Sequence, residues 1–141
     1  MKRSEAYALR AQMEATFAKA APSMTADEAI TNRALCKPWV AGGHTAGEIY
    51  TAGGQIWSCI QAYDNAVYPD IVPGQAAWGT FHKPYHGTTK ETAMPWVAPT
   101  GAHDMYLSGE YMVWTDGVTY LCKQNTNFSP AEYADAWEVA A

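Results

Sequence analysis

Gly109-Glu110-Tyr111-Met112-Val113-Trp114-Thr115-Asp116-Gly117-Val118-Thr119-Tyr120-Leu121-Cys122 decides the fold. Asp116-Gly117 lies between two runs rich in aromatic and β-branched residues. Such a dipeptide marks a tight hairpin turn, because primed turns need positive φ. Trp96 precedes the hairpin and Trp137 follows it. A second copy lies upstream: Trp39, then Gly47-Glu48-Ile49-Tyr50-Thr51-Ala52-Gly53-Gly54-Gln55-Ile56-Trp57-Ser58-Cys59, then Trp78. Counted back from each cysteine, Gly54 matches Gly117, Trp57 matches Tyr120 and Cys59 matches Cys122. The flanking Trp78 is aligned with Trp137. A period of roughly fifty residues points to two small tandem units.

The rest of the chain fits around these hairpins. Residues 4–20 are rich in helix formers and are followed by Pro22, so they read as a helix. Ala6, Leu9, Met13, Thr16 and Ala20 recur at alternating three- and four-residue steps, and Phe17 carries the apolar stripe past Thr16. Leu9, Met13 and Phe17 are therefore the candidate oligomerisation residues. Residues 25–36 read as a second helix, with Thr25 and Glu28 placed for a capping box and Met24 for a staple onto Ala29. Strands are expected near 47–51, 55–61 and 77–81 in the first unit, and near 110–115, 118–124 and 136–139 in the second. Residues 82–94 are polar with little apolar periodicity and read as a linker. The expected fold is mainly β with an N-terminal α-helical segment (1–37) and two small three-stranded antiparallel modules (38–81 and 95–141).

Composition narrows the function classes. The chain has 141 residues with a net charge of −5, which argues against a nucleic-acid partner because there is no excess of basic residues to displace counterions. Charged residues make up 16% and aromatics 13%, a balance opposed to disorder. No run is long and apolar enough to insert in a membrane. Three cysteines cannot all pair with each other, and Cys59 and Cys122 read as small buried strand residues, which fits assembly in a reducing interior. No catalytic residues, metal ligands or cofactor are assigned. There is no nucleophile elbow, phosphate loop or His-Glu-x-x-His zinc motif. Glu48 and Glu110 are each alone in their repeat, and glycoside hydrolysis needs two carboxylates about one bond. They read as acceptors for backbone donors at the entry to each hairpin.

The pattern Trp…Tyr-x-x-Gly-Asp/Glu…Gly-x-x-Tyr…Trp is carried by Trp96, Tyr106-Leu107-Ser108-Gly109-Glu110, Gly117-Val118-Thr119-Tyr120 and Trp137. It resembles the chitin-type carbohydrate-binding modules of chitinases and of bacteriophage virion proteins. The resemblance covers residues 24–141. The first repeat departs from it at His44, Trp57 and Tyr68-Pro69-Asp70.

The resemblance implies a bacteriophage virion accessory protein: a fibre, tail or capsid-surface component assembled in the host cytoplasm. Its modules would engage bacterial surface polysaccharide. Its partners would be other virion proteins and copies of itself, a trimer if the chain belongs to a fibre. Two alternatives are an architectural adaptor that holds other virion proteins and a cell-wall-targeting part of a lytic enzyme.

Sugar modules stack flat aromatic rings on pyranose C–H faces and bond hydroxyls with nearby amides. The candidates are Trp114, Tyr120 and Phe128 with Asn125 and Asn127 in the second repeat, and Trp57, Tyr63 and Tyr68 in the first. Trp39, Trp78, Trp96 and Trp137 bracket the hairpins and read as core.

Overall fold

A computed structural model describes residues 2–75 and 78–141. The fold is mixed, an N-terminal helical segment followed by three small β-sheets. Helix α1 (Arg3–Ala20) runs into a 3₁₀ turn at Ala21–Ser23, where Pro22 cannot continue the ladder. Helix α2 (Ala26–Thr31) starts at the expected box: the Thr25 hydroxyl accepts the Glu28 N–H at 3.1 Å, and the Glu28 carboxylate accepts the Thr25 N–H at 3.4 Å. The expected second helix is shorter than 25–36, because a 3₁₀ turn at Arg33–Leu35 replaces its end.

Phe17 is 4% exposed and packs with Ala21, Ile30, Cys36, Ile49, Ile56 and Met94 in one core. Burying it contributes roughly 2–3 kcal/mol before entropy is subtracted. Almost all the rest of α1 is open, with Leu9 44% and Met13 42% exposed. Of the three candidate oligomerisation residues, Phe17 is therefore committed to the chain's own core, because it sits at the end of α1 that meets the sheets.

Strand β1 (Gly43–His44) pairs with β4 (Tyr63–Asp64) in a two-stranded sheet. Strands β2 (Ile49–Ala52), β3 (Gln55–Cys59) and β5 (His82–Pro84) form an antiparallel three-stranded sheet. A four-stranded sheet holds β6 (Met94–Pro95), β7 (Tyr111–Val113), β8 (Thr119–Cys122) and β9 (Trp137–Val139). There β6 runs parallel to β7 and the other pairs are antiparallel. The four-stranded sheet thus has a parallel edge strand that a three-stranded antiparallel module lacks. Both hairpin turns carry glycine at positive φ, 78° at Gly54 and 82° at Gly117.

The expected third strand near 77–81 is corrected. Ala77 lies outside the described residues, and Trp78–Phe81 forms a short helical turn, α3. The third strand is β5, where His82 pairs with Cys59 as Trp137 pairs with Cys122. His82 therefore occupies the register position of Trp137, and Trp78 does not. Repetition of tryptophan pointed to the wrong residue, because the path from Cys59 to His82 is eight residues longer than that from Cys122 to Trp137.

The stretch 82–94 is corspondingly structured, not a free linker. His82, Thr92 and Met94 are buried. Asp27 at the start of α2 accepts hydrogen bonds from the Thr88 N–H and hydroxyl and from the Thr92 hydroxyl. The Gly87 carbonyl accepts the Tyr111 N–H at 2.9 Å. A Cβ on Gly87 would fall 2.0 Å from the Thr92 carbonyl oxygen, so only glycine fits there.

Elsewhere the two repeats share their hydrogen bonds. Cys59 and Cys122 N–H groups donate to the Glu48 and Glu110 carbonyls, both at 2.8 Å. Their thiols donate to the carbonyls of Gln61 and Gln124, at 3.2 and 3.0 Å. Pro38-Trp39 bridges Thr51 in parallel, as Pro95-Trp96 bridges Val113. His44 pairs with Tyr63 where Tyr106 pairs with Thr126.

His82 ties the first repeat together. Its Nε2 lies 2.7 Å from the Tyr50 hydroxyl and 2.9 Å from the Tyr63 hydroxyl, which are 2.8 Å apart. Trp39 Nε1–H donates to Tyr63 at 2.9 Å. Burial pushes His82 down to about 4 from its ordinary 6.5. The unfolded chain takes up a proton below 6.5 that the folded chain refuses until about 4, so stability is full above the first value and falls toward the second. We predict a loss on the order of 3 kcal/mol from this group on acidification across that window. Denaturant unfolding at neutral and acid pH, with the His82 ring followed by NMR, checks it; an imidazole that titrates near its ordinary value contradicts it.

Candidate functional site

Directly paired residues of an antiparallel ladder point to the same face of the sheet. Met112 pairs with Tyr120, Tyr120 with Val139, and Cys122 with Trp137. One face of the four-stranded sheet therefore carries Met112, Tyr120, Cys122, Trp137 and Val139. Tyr106, Met112, Cys122, Ala136 and Trp137 form its buried centre, and Trp96, Trp114 and Tyr120 pack around that centre while only partly buried. Trp96 meets Tyr106 in a near-parallel stack at 5.1 Å and Trp114 edge-on at 5.5 Å. These contacts fix the rings in place, and the rim of the face remains open: Val139 is 60% exposed.

In the first repeat the position equivalent to Tyr120 is covered. Trp57, in the register position of Tyr120, is 3% exposed. Trp78 stands edge-on to it at 5.2 Å, and a Cβ on Gly74 would lie 3.5 Å from its ring. Ile71 joins the same cluster. The longer connection before β5 thus supplies the cover that the second repeat lacks. Tyr63 is 6% exposed, with its hydroxyl spent on Trp39, Tyr50 and His82. Trp57 and Tyr63 are therefore core side chains without a free ring face, contrary to the sequence expectation. Tyr68 is exposed, but its neighbour Asn65 is committed to the backbone of Gly42, Tyr68 and Ile71.

In the second repeat the candidates divide by position. Trp114 and Tyr120 share the aromatic face. Phe128 is 54% exposed on the loop after β8, where its carbonyl accepts Trp137 Nε1–H at 3.0 Å. Asn125 is exposed, and its side-chain oxygen accepts the Ser108 N–H at 2.9 Å. Asn127 is partly buried, and its side-chain oxygen meets no donor. Trp96, read from sequence as core, instead belongs to the partly open rim.

Glu48 and Glu110 anchor the two hairpins as expected. Glu48 accepts the Thr45 N–H at 3.1 Å and Lys37 Nζ at 2.6 Å, and lies 3.2 Å from His44 Nδ1. Burial alone would raise its pKa, but these donors outweigh burial and hold it below the usual carboxylate range. Glu110 accepts the Leu107 N–H at 2.7 Å and lies 3.0 Å from His86 Nδ1. The histidine comes from the hairpin's own repeat in one case and from the stretch 82–94 in the other. Burial raises the thiols of Cys36 and Cys122 to about 11, which leaves them protonated and unreactive at neutral pH. All three cysteines are free and buried. No helix is long and apolar enough to cross a membrane among the described residues. The chain matches no protein-family model and no curated protein.

Glu110→Ala leaves the Leu107 N–H and the His86 ring without their acceptor. We predict a loss of about 1–3 kcal/mol in denaturant unfolding. Glu110→Gln, which keeps a side-chain oxygen, loses less. Equal stability of wild type and Glu110→Ala contradicts the anchoring role.

Proposed function

We propose that this chain is a binding protein whose second repeat takes a polysaccharide on the face rimmed by Trp96, Trp114 and Tyr120, with Phe128, Asn125 and Asn127 beside it. The observation that carries the reading is the contrast between the repeats. Tyr120 stays partly open in the second repeat beside Trp96 and Trp114, while its counterpart Trp57 in the first is covered by the longer connection. Rings fixed before the ligand arrives lose little entropy on binding, which is what a shallow stacking site needs. The first repeat then acts as a rigid support. The setting we assign is a bacteriophage virion, as a fibre, tail or capsid-surface accessory protein that meets bacterial surface polysaccharide. It follows from the resemblance of the tryptophan-bracketed hairpins.

A second reading, an architectural adaptor, has its own support in α1. Eighteen helical residues bury one large side chain, Phe17, in their own chain. An isolated helix of this length is marginal in water. Leu9 and Met13 gain cover if copies of the chain, or another virion protein, pack along α1. Self-association is the form we assign, with a trimer if the protein is a fibre.

Replacing Trp114, Tyr120 or Phe128 by Ala is expected to weaken binding to bacterial surface polysaccharide by about 1–3 kcal/mol each. Tyr68→Ala leaves it unchanged. Calorimetric titration reads the affinities and circular dichroism confirms folding. Unchanged binding in all three folded variants refutes the assignment. For assembly, Leu9→Asp with Met13→Asp should reduce the oligomer to a monomer in light scattering, with the monomer still folded by circular dichroism. A wild-type chain that is already monomeric contradicts self-association.

A further inference from the structure

Tyr106 lies in the buried centre of the second repeat and is 1% exposed. Trp96 stacks on it at 5.1 Å with the planes 10° apart, and His86 stacks on it at 3.9 Å with the planes 6° apart. A six-membered ring has room for one parallel partner on each face, so Tyr106 lies between the indole and the imidazole. Trp96 belongs to the partly open rim, whereas the His86 side chain is 8% exposed.

Tyr106 also holds its neighbours on that face. Its hydroxyl accepts the N–H of Val97, the residue after Trp96, at 3.2 Å. Its own N–H donates to the Thr126 carbonyl at 3.0 Å, and its carbonyl accepts the Thr126 N–H at 2.9 Å. Thr126 stands between Asn125 and Asn127. A tilt of Tyr106 is therefore passed to the Trp96 indole and to the loop that carries the two amides. On the face of Tyr106 turned away from Trp96, the imidazole of His86 blocks that tilt. His86 is itself held twice. Its Nδ1 lies 3.0 Å from the Glu110 carboxylate, and the carbonyl of the next residue, Gly87, accepts the Tyr111 N–H at 2.9 Å.

We propose that His86 is a positioning residue of the polysaccharide face: it backs Tyr106 and so fixes the Trp96 ring at the rim. This rests on the reading of the second repeat as a polysaccharide site. A ring that is already fixed loses little freedom when a sugar stacks on it, while a ring free to rock must be immobilised at that moment. His86 acts through Tyr106 and does not touch the ligand. Its flat contact does the positioning, and the bond to Glu110 keeps the imidazole in place.

Two variants separate the ring from the hydrogen bond. His86→Asn keeps a donor for Glu110 and gives up the ring. His86→Phe keeps a flat ring and gives up only the Glu110 contact, because Nε2 meets no partner among the described residues. The probe is glycan strands of peptidoglycan, titrated calorimetrically into the full chain. The Trp96 indole N–H signal of the isotope-labelled chain is followed by NMR without ligand. His86→Asn is expected to bind about two- to tenfold more weakly, the range for one released side chain, and to broaden or split the Trp96 signal. His86→Phe should match the wild type in both readouts, even where its melting temperature is lower. Full affinity in folded His86→Asn, or an equal loss in folded His86→Phe, overturns the proposal. A wild type that binds no glycan strands counts against the polysaccharide reading instead, and the positioning role then stands or falls on whether His86→Asn alone disturbs the Trp96 signal. Should neither variant fold, the wild type decides. The Tyr106 ring current is expected to move the His86 ring protons upfield, and ordinary positions for them overturn the stack.

Discussion

Strands of three to five residues cannot enclose a core by themselves, and this limit shapes both repeats. A sheet this small buries its inner face only if something else covers it. In the first repeat the cover is the long connection that lays Gly74, Ile71 and Trp78 over Trp57. In the second repeat the connection is short and the rings cover one another. Tyr106 and Trp137 tilt into a closed centre with Trp96 packed against both, which leaves Trp96, Trp114 and Tyr120 partly uncovered. One difference in loop length thus separates the covered Trp57 from the partly open Tyr120.

The interior of the first repeat carries a consequence of the same limit. Its strand partner to Cys59 is a histidine, where the second repeat has a tryptophan. The hydroxyls of Tyr50 and Tyr63 meet its Nε2, while its Nδ1 is buried without a partner. Hydrogen bonding at Nε2 there takes the place of the aromatic packing of Trp137. The first repeat is accordingly sensitive to acid, since charging His82 means desolvating a cation among neutral hydroxyls. The second repeat has no counterpart to this group on its third strand.

Much of the frame was legible in the sequence because it rests on local chemistry. The capping box at Thr25 and Glu28, the glycine turns at Gly54 and Gly117, and the pairing of the cysteine positions are all short-range signals, and the structure carries each of them. What was not legible depended on distance along the chain. The aligned tryptophans suggested Trp78 for the position that His82 fills, because an inserted loop shifts register without changing residue type. The stretch 82–94 looked polar and unpatterned, yet Asp27 at α2 gathers Thr88 and Thr92 from it. No periodicity records a contact of that kind. Burial was the hardest part: Trp57, Tyr63 and Phe17 differ from Tyr120, Tyr68 and Leu9 in what happens to lie over them, and a single residue letter does not carry that.

The proposed site rests on one contrast, a partly open Tyr120 in the second repeat against a covered Trp57 in the first. The indole N–H signals of the six tryptophans report on it directly. Bacterial surface polysaccharide fragments added to the isotope-labelled chain should shift the signals of Trp96 and Trp114. The signal of Trp57 should stay in place. Shifts confined to the first repeat, or no shift at saturating glycan, would contradict the account.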